Sequence, residues 1–221
     1  MRTALKKMAA VSVALLVGTL VWAQDPVPFR QVLLQVLDIR PGTVVAEIGA
    51  GTGDLSFAMA EQVGAGGRVY ANEVVQDKVD AIERVRKSRG LANVDTILGG
   101  EEDPRLPGRV DLVVMVDVYH HMARPDEFLK KLATYMKPGA RLAVAAVVNK
   151  RNPQAKPRTS KDVDPCVSDP EETRKAIEKT GFVFEKLVLH EDAKRSFFWP
   201  TSYILVFRAP ETAPEPSSGV I

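Results

Sequence analysis

The strongest constraint on the fold is a repeated alternation of short β-branched runs with amphipathic stretches. Runs rich in Val, Ile and Leu recur seven times between residues 44 and 208, and helical periodicity lies between most of them. This alternation is typical of a parallel sheet with crossover helices. The first five runs are almost continuously apolar, as expected for strands that helices cover on both faces. We therefore predict an α/β fold with a doubly wound, mostly parallel, seven-stranded sheet and helices on both faces.

The individual elements follow from periodicity and from helix start and stop signals. The last two runs are separated by a stretch without helical periodicity, which predicts an antiparallel hairpin at the sheet edge. Residues 149–169 are polar, contain three prolines and predict a long loop. The predicted strands are 44–48, 68–72, 94–98, 111–116, 141–148, 183–189 and 202–208. The predicted helices are 29–37, 54–63, 76–89, 126–136, which Pro138-Gly139 should end, and 170–180.

The first 23 residues have the pattern of an export signal. Positive charges in residues 1–7 precede an uncharged apolar run over residues 8–20, and small side chains occupy the positions that a signal peptidase reads. The run is shorter than the ~20 residues of a membrane-spanning helix. We expect cleavage after Ala23 and export to the periplasm or the medium, with an uncleaved membrane tether as the alternative. Residues 24–208 then form the domain, and residues 209–221, rich in Pro, Glu and Ser, form a disordered tail.

The charge and the scarcity of metal-ligating side chains exclude some kinds of partner. Arg2, Lys6 and Lys7 lie in the leader, so their removal changes the formal net charge from +2 to −1. That balance predicts no nucleic-acid partner. No metal site is expected, because the three histidines show no ligand spacing and the single cysteine, Cys166, lies outside any such pattern.

A turn of alternating glycines follows the first strand, where Glu47 precedes Gly49, Gly51 and Gly53. Ligands of open α/β sheets bind at the carboxyl ends of strands, where glycines allow the backbone to approach a cofactor. Asp54 stands where a dinucleotide-binding fingerprint needs Gly or Ala, which argues against nicotinamide and flavin cofactors. The carboxylate of Glu47 would repel a pyrophosphate but attract a cation, and S-adenosylmethionine carries both a sulfonium and an ammonium group.

A second carboxylate, Glu73, follows the next strand, 20 residues after Gly53. From that position a carboxylate can accept hydrogen bonds from both hydroxyls of a ribose. A purely structural interpretation is a turn that packs helix on strand, with Glu73 in solvent. The agreement of the turn with an acid in both places favours a binding site.

On these residues the chain resembles the class I S-adenosylmethionine-dependent methyltransferases, in the small-molecule branch that includes quinone-type C-methyltransferases. The likeness covers most of residues 29–208 and includes the Glu-x-Gly-x-Gly-x-Gly turn, Glu73, the 110–115 strand and Lys137-Pro138-Gly139. The resemblance implies S-adenosylmethionine as the cofactor. Gly100 stands where the family commonly has aspartate, so a neighbouring glutamate or a backbone amide must substitute there. By resemblance, the methionine end is held by Glu47, Gly49, Ala50, Gly51 and Gly53, the ribose by Glu73, and the adenine by the loop of Gly100, Glu101 and Glu102.

The candidate catalytic residues follow the fourth strand and emerge at the same sheet edge. Methyl transfer is an in-line displacement, and a base is needed only when the acceptor must lose a proton. Histidine suits that role because its unperturbed pKa is about 6.5. Adjacent histidines point in different directions, so at most one should face the acceptor, and we prefer His120 to His121. Tyr119 could stack on the acceptor or cap the core, and Asp117 is expected to orient the cofactor or the following turn.

The sequence thus predicts an enzyme that transfers a methyl group from S-adenosylmethionine to a small or medium-sized acceptor molecule. Two alternatives remain at this point. One is a non-catalytic S-adenosylmethionine-binding or scaffold domain, which the leader raises because the cofactor is made in the cytosol. The other is a nicotinamide-dependent oxidoreductase, which Asp54 disfavours.

Overall fold

The computed structural model describes residues 28–148, 169–191 and 201–211, and this part of the chain forms seven strands and five α-helices. A single 3-10 turn, Tyr119–His121, follows the fourth strand. Strands β1 to β7 are Val44–Ile48, Arg68–Glu73, Val94–Leu98, Val110–Val116, Met136–Val148, Val183–Glu191 and Thr201–Arg208. Helices α1 to α5 are Phe29–Leu37, Asp54–Val63, Gln76–Ser88, Pro125–Thr134 and Pro170–Glu178.

All seven strands belong to one sheet, in the order β3-β2-β1-β4-β5-β7-β6. The pairs among β1 to β5 are parallel, and β7 lies antiparallel between β5 and β6. The predicted fold class and edge hairpin are confirmed. The strand order reverses between β1 and β4, and in open α/β sheets the crevice at such a reversal is where ligands bind.

Helices cover both faces of the sheet, so the core has two layers. One layer contains Leu33 of α1, Phe57 of α2 and Ile82 of α3, and the other contains Leu129 of α4 and Ile177 of α5. Side chains of the central strands point alternately into the two layers. In β4, Leu112 and Val114 lie in the first layer, whereas Val113 and Met115 lie in the second, and all four are buried. This two-sided burial explains the continuous apolar runs in the sequence.

The start of β5 is the main departure from the predicted elements. Strand β5 begins at Met136 and not at the predicted residue 141, and helix α4 ends at Thr134 and not at the predicted residue 136, because Met136 already pairs with Val110 of β4. The register shifts before the next pairs, which leaves Pro138 in an irregular stretch where its missing N–H costs no regular ladder bond. The other predicted ends agree with the structure to within two residues.

Several predictions fall outside the described residues. These are the leader over residues 1–23, most of the loop 149–169, and most of the tail 209–221. Within the ranges that the structure does describe, no helix is both long enough and apolar enough to cross a bilayer.

Candidate active site

A cavity of about 490 Å³ lies at the carboxyl edge of the sheet, beside the point where the strand order reverses. This volume falls within the roughly 300–1,000 Å³ that is usual for small-molecule sites. Helix α4 adds Phe128 to its wall. The remaining lining comes from four segments that follow β1, β2, β3 and β4, which lie within residues 48–51, 72–78, 100–101 and 116–123.

The glycine turn after β1 forms one wall of the cavity with its main chain. Gly49, Gly51 and Gly53 all have positive φ angles, of 74°, 58° and 80°, which side chains rarely adopt. A Cβ at Gly49 would lie 2.3 Å from Cγ2 of Val118, whereas a Cβ at Gly51 would meet no protein atom within 4 Å. The turn therefore needs glycine at residue 49 for packing and keeps open space at residue 51. Gly53 is the N-cap of α2, and Ala50 is buried behind the turn.

Glu73 lies on the cavity lining at the end of β2, and its orientation is fixed by backbone hydrogen bonds. Its Oε2 accepts the N–H of Gly51 at 3.0 Å, and its Oε1 accepts the N–H of Val74 at 2.9 Å. The ammonium of Lys78 is 3.7 Å from Oε2. Only 4% of Glu73 is exposed. A carboxylate has about four lone-pair sites, so two remain for hydroxyl groups in the cavity.

Glu47 is buried behind the glycine turn and does not belong to the cavity lining. The hydroxyl of Ser56, on the first turns of α2, donates a hydrogen bond to its Oε2. Burial raises the pKa of Glu47 to about 7, against the lowering effect of the bonds to Ser56. The sequence predicted a carboxylate at the wall of the site. The structure places it behind that wall, where its carboxyl accepts a hydrogen bond from Ser56 of α2.

The loop after β3 brings Gly100 and Glu101 to the cavity but turns Glu102 away. Glu102 forms an ion pair with Arg124 at the start of α4. The loop is also anchored by Asp103, whose carboxylate accepts bonds from the N–H of Arg105, the hydroxyl of Tyr135 and the ammonium of Lys131. Of the two glutamates expected near the adenine, only Glu101 is in a position to contact a ligand.

The segment after β4 brings Asp117 and His121 to the cavity lining. Asp117 is exposed and has a φ of 54°, an uncommon conformation that short polar side chains tolerate best. His120 does not line the cavity, and its ring packs against that of His121 with centroids 4.1 Å apart. The geometry thus favours His121, where the sequence had led us to prefer His120. Tyr119 packs on the core and does not line the cavity, and burial raises its pKa to about 12.

Sequence reasoning missed several residues of the cavity wall. Asn72 directly precedes Glu73, Val74 and Val75 directly follow it, and all three line the cavity. The signal visible in the sequence is the pair itself, because two adjacent β-branched apolar residues, Val74 and Val75, stand between the candidate acid Glu73 and the next helix. The structure leaves these valines 50% and 43% exposed, which is unusual for such residues. Phe128 of α4 was also missed, and it adds apolar surface to the cavity. Among the described residues, no group of three or more His, Cys, Asp or Glu side chains is arranged to hold a metal ion.

Comparisons with known proteins agree with this architecture. A family described as "Methyltransferase domain" matches residues 39–184. Nocamycin O-methyltransferase from Saccharothrix syringae is 30% identical over 190 residues, which cover 75% of this chain and 68% of that protein. The ubiquinone/menaquinone biosynthesis C-methyltransferase UbiE of Hydrogenovibrio crunogenus is 31% identical over 113 residues, which cover 50% of this chain and 44% of that protein. The chain thus spans less than half of this second relative.

The solved structures give the same fold. The crystal structure of a SAM-dependent methyltransferase from Aquifex aeolicus superimposes with a TM-score of 0.67 and 22% sequence identity. The match covers 82% of this chain and 89% of that one. At this identity the likeness establishes the arrangement of the sheet and helices.

The buried carboxyl of Glu47 makes stability depend on pH in a predictable direction. Its pKa is about 7 in the folded chain and 4.5 in the unfolded chain, so its contribution to the free energy of unfolding is full below pH 4.5 and is lost as the pH rises through 7. Glu47→Gln keeps an acceptor for Ser56 but cannot ionise. As the pH rises from 5 to 8, the free energy of unfolding of the wild type should therefore fall by roughly 2–3 kcal/mol relative to that of the variant. Urea unfolding at the two pH values measures this difference.

A matched control is Glu61→Gln, which alters an exposed glutamate of α2, the helix that carries Ser56. Its unfolding free energy should follow that of the wild type at both pH values. A constant difference between Glu47→Gln and the wild type across this pH range would contradict the buried, partly protonated state of Glu47.

Proposed function

The chain belongs to the family of S-adenosylmethionine-dependent methyltransferases, and on that premise we propose that it methylates a small, largely apolar acceptor molecule. The observation that carries the proposal is the hydrogen bond between the glycine turn and Glu73. The N–H of Gly51 donates to the carboxylate of Glu73, and both residues line the cavity. By their names, one of the relatives described above methylates an oxygen and the other a carbon, so oxygen and carbon acceptors both belong in the assay.

The residues of the cavity fit the cofactor. Glu73 offers two acceptor oxygens for the ribose hydroxyls, and the open main chain at Gly51 admits the methionine end. We assign the adenine to the exposed side chains of Val74 and Val75, which line the same cavity as Gly100. When bound, S-adenosylmethionine supplies an electrophilic methyl group on a positively charged sulfur.

The residues that follow β4 suggest the chemistry of the acceptor. Val116, Met122 and Phe128 line this part of the cavity with apolar surface, and His121 adds an imidazole. An acceptor that fits would be mostly apolar and would carry one hydroxyl, amine or activated carbon that loses a proton during transfer. We propose that His121, an exposed side chain on the cavity lining, accepts that proton.

We further propose that the acceptor is a small molecule and not a nucleic acid. The cavity has the size of a single small-molecule site, and the formal net charge without the leader is −1. Nucleic-acid affinity depends mainly on cationic side chains that neutralise phosphates. A protein of this charge supplies little of that attraction.

The cofactor assignment is tested with Gly51→Ala. The added Cβ would occupy the cavity wall, and the positive φ adds a backbone cost on the order of 1 kcal/mol. Isothermal titration should show that the wild type binds S-adenosylmethionine and that the variant binds it at least tenfold more weakly. The control is Gly42→Ala, which carries a similar backbone cost at a φ of 86° and also meets no protein atom within 4 Å.

Gly42 lies ahead of β1, whereas the cavity is at the other end of the strand, so Gly42→Ala should bind the cofactor as the wild type does. A wild type that does not bind S-adenosylmethionine would refute the assignment. Titration with NADH in parallel tests the oxidoreductase alternative.

The role of His121 is tested by the substitution His121→Gln. The assay measures S-adenosylhomocysteine formed with a panel of phenols, quinols, carboxylic acids and bulk tRNA. For an acceptor that is turned over, kcat should fall on the order of 10²- to 10⁴-fold with the affinity for S-adenosylmethionine unchanged. His190→Gln, on the edge strand β6 and outside the cavity lining, serves as the control. Binding without turnover of any acceptor would favour the non-catalytic alternative, and turnover of tRNA would overturn the small-molecule proposal.

We also propose that residues 1–23 direct export, on the strength of their charges and apolar run alone. A C-terminally tagged chain should be recovered outside the cytosol, and its mass should equal that of a chain that begins at Gln24. Leu15→Arg places a charge in the apolar run and should leave the precursor intact in the cytosol. An intact N-terminus in the cytosolic fraction of the wild type would contradict export, and an intact N-terminus in the membrane fraction would indicate a tether.

A further inference from the structure

Asn72 lies where two loops of the cavity meet. It is the penultimate residue of β2 and is only 1% exposed. Its backbone carbonyl accepts the N–H groups of both Gly49 and Ala50, at 2.9 and 2.8 Å. The main chain of Asn72 therefore holds the glycine turn on one side of β2.

The side chain of Asn72 holds the loop on the other side. Its Nδ2 donates a hydrogen bond to the carbonyl of Pro104 at 2.6 Å. The same amide packs directly on Gly99, because a Cβ at Gly99 would lie 2.6 Å from Nδ2 and 2.8 Å from Oδ1. The N–H of Gly99 in turn donates to the carbonyl of Glu73 at 3.0 Å. Residues 99–104 are thus fixed to the end of β2 at both ends.

We propose that Asn72 is a positioning residue that sets the distance between the glycine turn and the loop 99–104. This inference rests on the proposed function, since these two loops line the opposite sides of the assigned cofactor site. With this distance fixed, Glu73, which we assign to the ribose, and the loop residues Gly100 and Glu101 can contact the same ligand at once. A fixed spacing of this kind lowers the ordering cost of binding.

The chemistry at residue 72 requires a short neutral amide. An aspartate would have the same size but would direct a carboxylate oxygen at the carbonyl of Pro104, where two acceptors repel each other. An alanine would remove both the donor and the packing against Gly99. The substitutions Asn72→Asp and Asn72→Ala therefore release the loop without changing any side chain that we assign to the cofactor itself.

The test compares these variants with Asn93→Asp. The amide of Asn93 also donates to backbone carbonyls, those of Ala60 and Gly64, but it lies outside the cavity lining. Isothermal titration should show that both Asn72 variants bind S-adenosylmethionine and adenosine more weakly, on the order of 10- to 100-fold, whereas Asn93→Asp binds both as the wild type does. Hydrogen exchange at the amides of Gly99 and Gly100 should be faster in the Asn72 variants alone.

A second pair of variants keeps the test decisive if the Asn72 variants fold poorly. Gly99→Ala should push the amide of Asn72 away from Pro104 and weaken adenosine binding, because its Cβ would overlap that amide. In the double variant Asn72→Ala, Gly99→Ala, the second substitution should have little further effect, since the overlap is gone. Additive effects would indicate that Gly99 acts without Asn72.

The outcomes separate this inference from the proposed function. If the wild type binds S-adenosylmethionine and the folded Asn72 variants bind it equally well, the positioning role is refuted and the function stands. If the wild type fails to bind S-adenosylmethionine, the proposed function itself fails. Equal weakening by Asn93→Asp and Asn72→Asp would reduce the effect to general destabilisation and would also overturn the positioning role.

Discussion

The site depends on the hydrogen bonds that join the turn after β1 to the end of β2. Three N–H groups of the turn, those of Gly49, Ala50 and Gly51, point towards β2 and are accepted by the carbonyl of Asn72 and the carboxylate of Glu73. Such a turn exposes main-chain donors that would be costly to bury without partners. Because the neighbouring strand accepts these N–H groups, the same hydrogen bonds fix the turn, the carboxylate of Glu73 and the cavity between them.

The two acids of the site illustrate how burial divides similar side chains between different tasks. Glu73 and Glu47 are each 4% exposed. Glu73 accepts backbone N–H groups and reaches the cavity, whereas Glu47 lies behind the turn with the hydroxyl of Ser56 as its partner and a raised pKa. A desolvated carboxyl with few donors holds its proton more tightly. Of the two, only Glu73 lies on the cavity lining, where a ligand can reach it, although both stand at the ends of adjacent strands.

Local sequence patterns were sufficient for the architecture and for the backbone of the site. The glycines, Glu73 and the order of strands and helices all follow from periodicity and turn chemistry, which act over a few residues. What the sequence could not give depends on contacts between distant segments. The end of α4 is set by the pairing of Met136 with Val110, and Glu102 is drawn from the cavity by Arg124. Likewise, only the 3-10 turn decides which of two adjacent imidazoles faces the cavity.

The position of β7 has a consequence for how the chain reaches this structure. The last strand of the described chain is an interior strand, inserted between β5 and β6, and its residues Ile204, Leu205 and Phe207 are completely buried. While the ribosome still holds that segment, β5 has an uncovered edge and β6 has no strand to pair with. Such edges invite pairing with other chains until they are covered. Completion of the sheet must therefore wait until residue 208 has left the ribosome, so the parallel strands β1 to β5 are made before the edge of β5 can be covered.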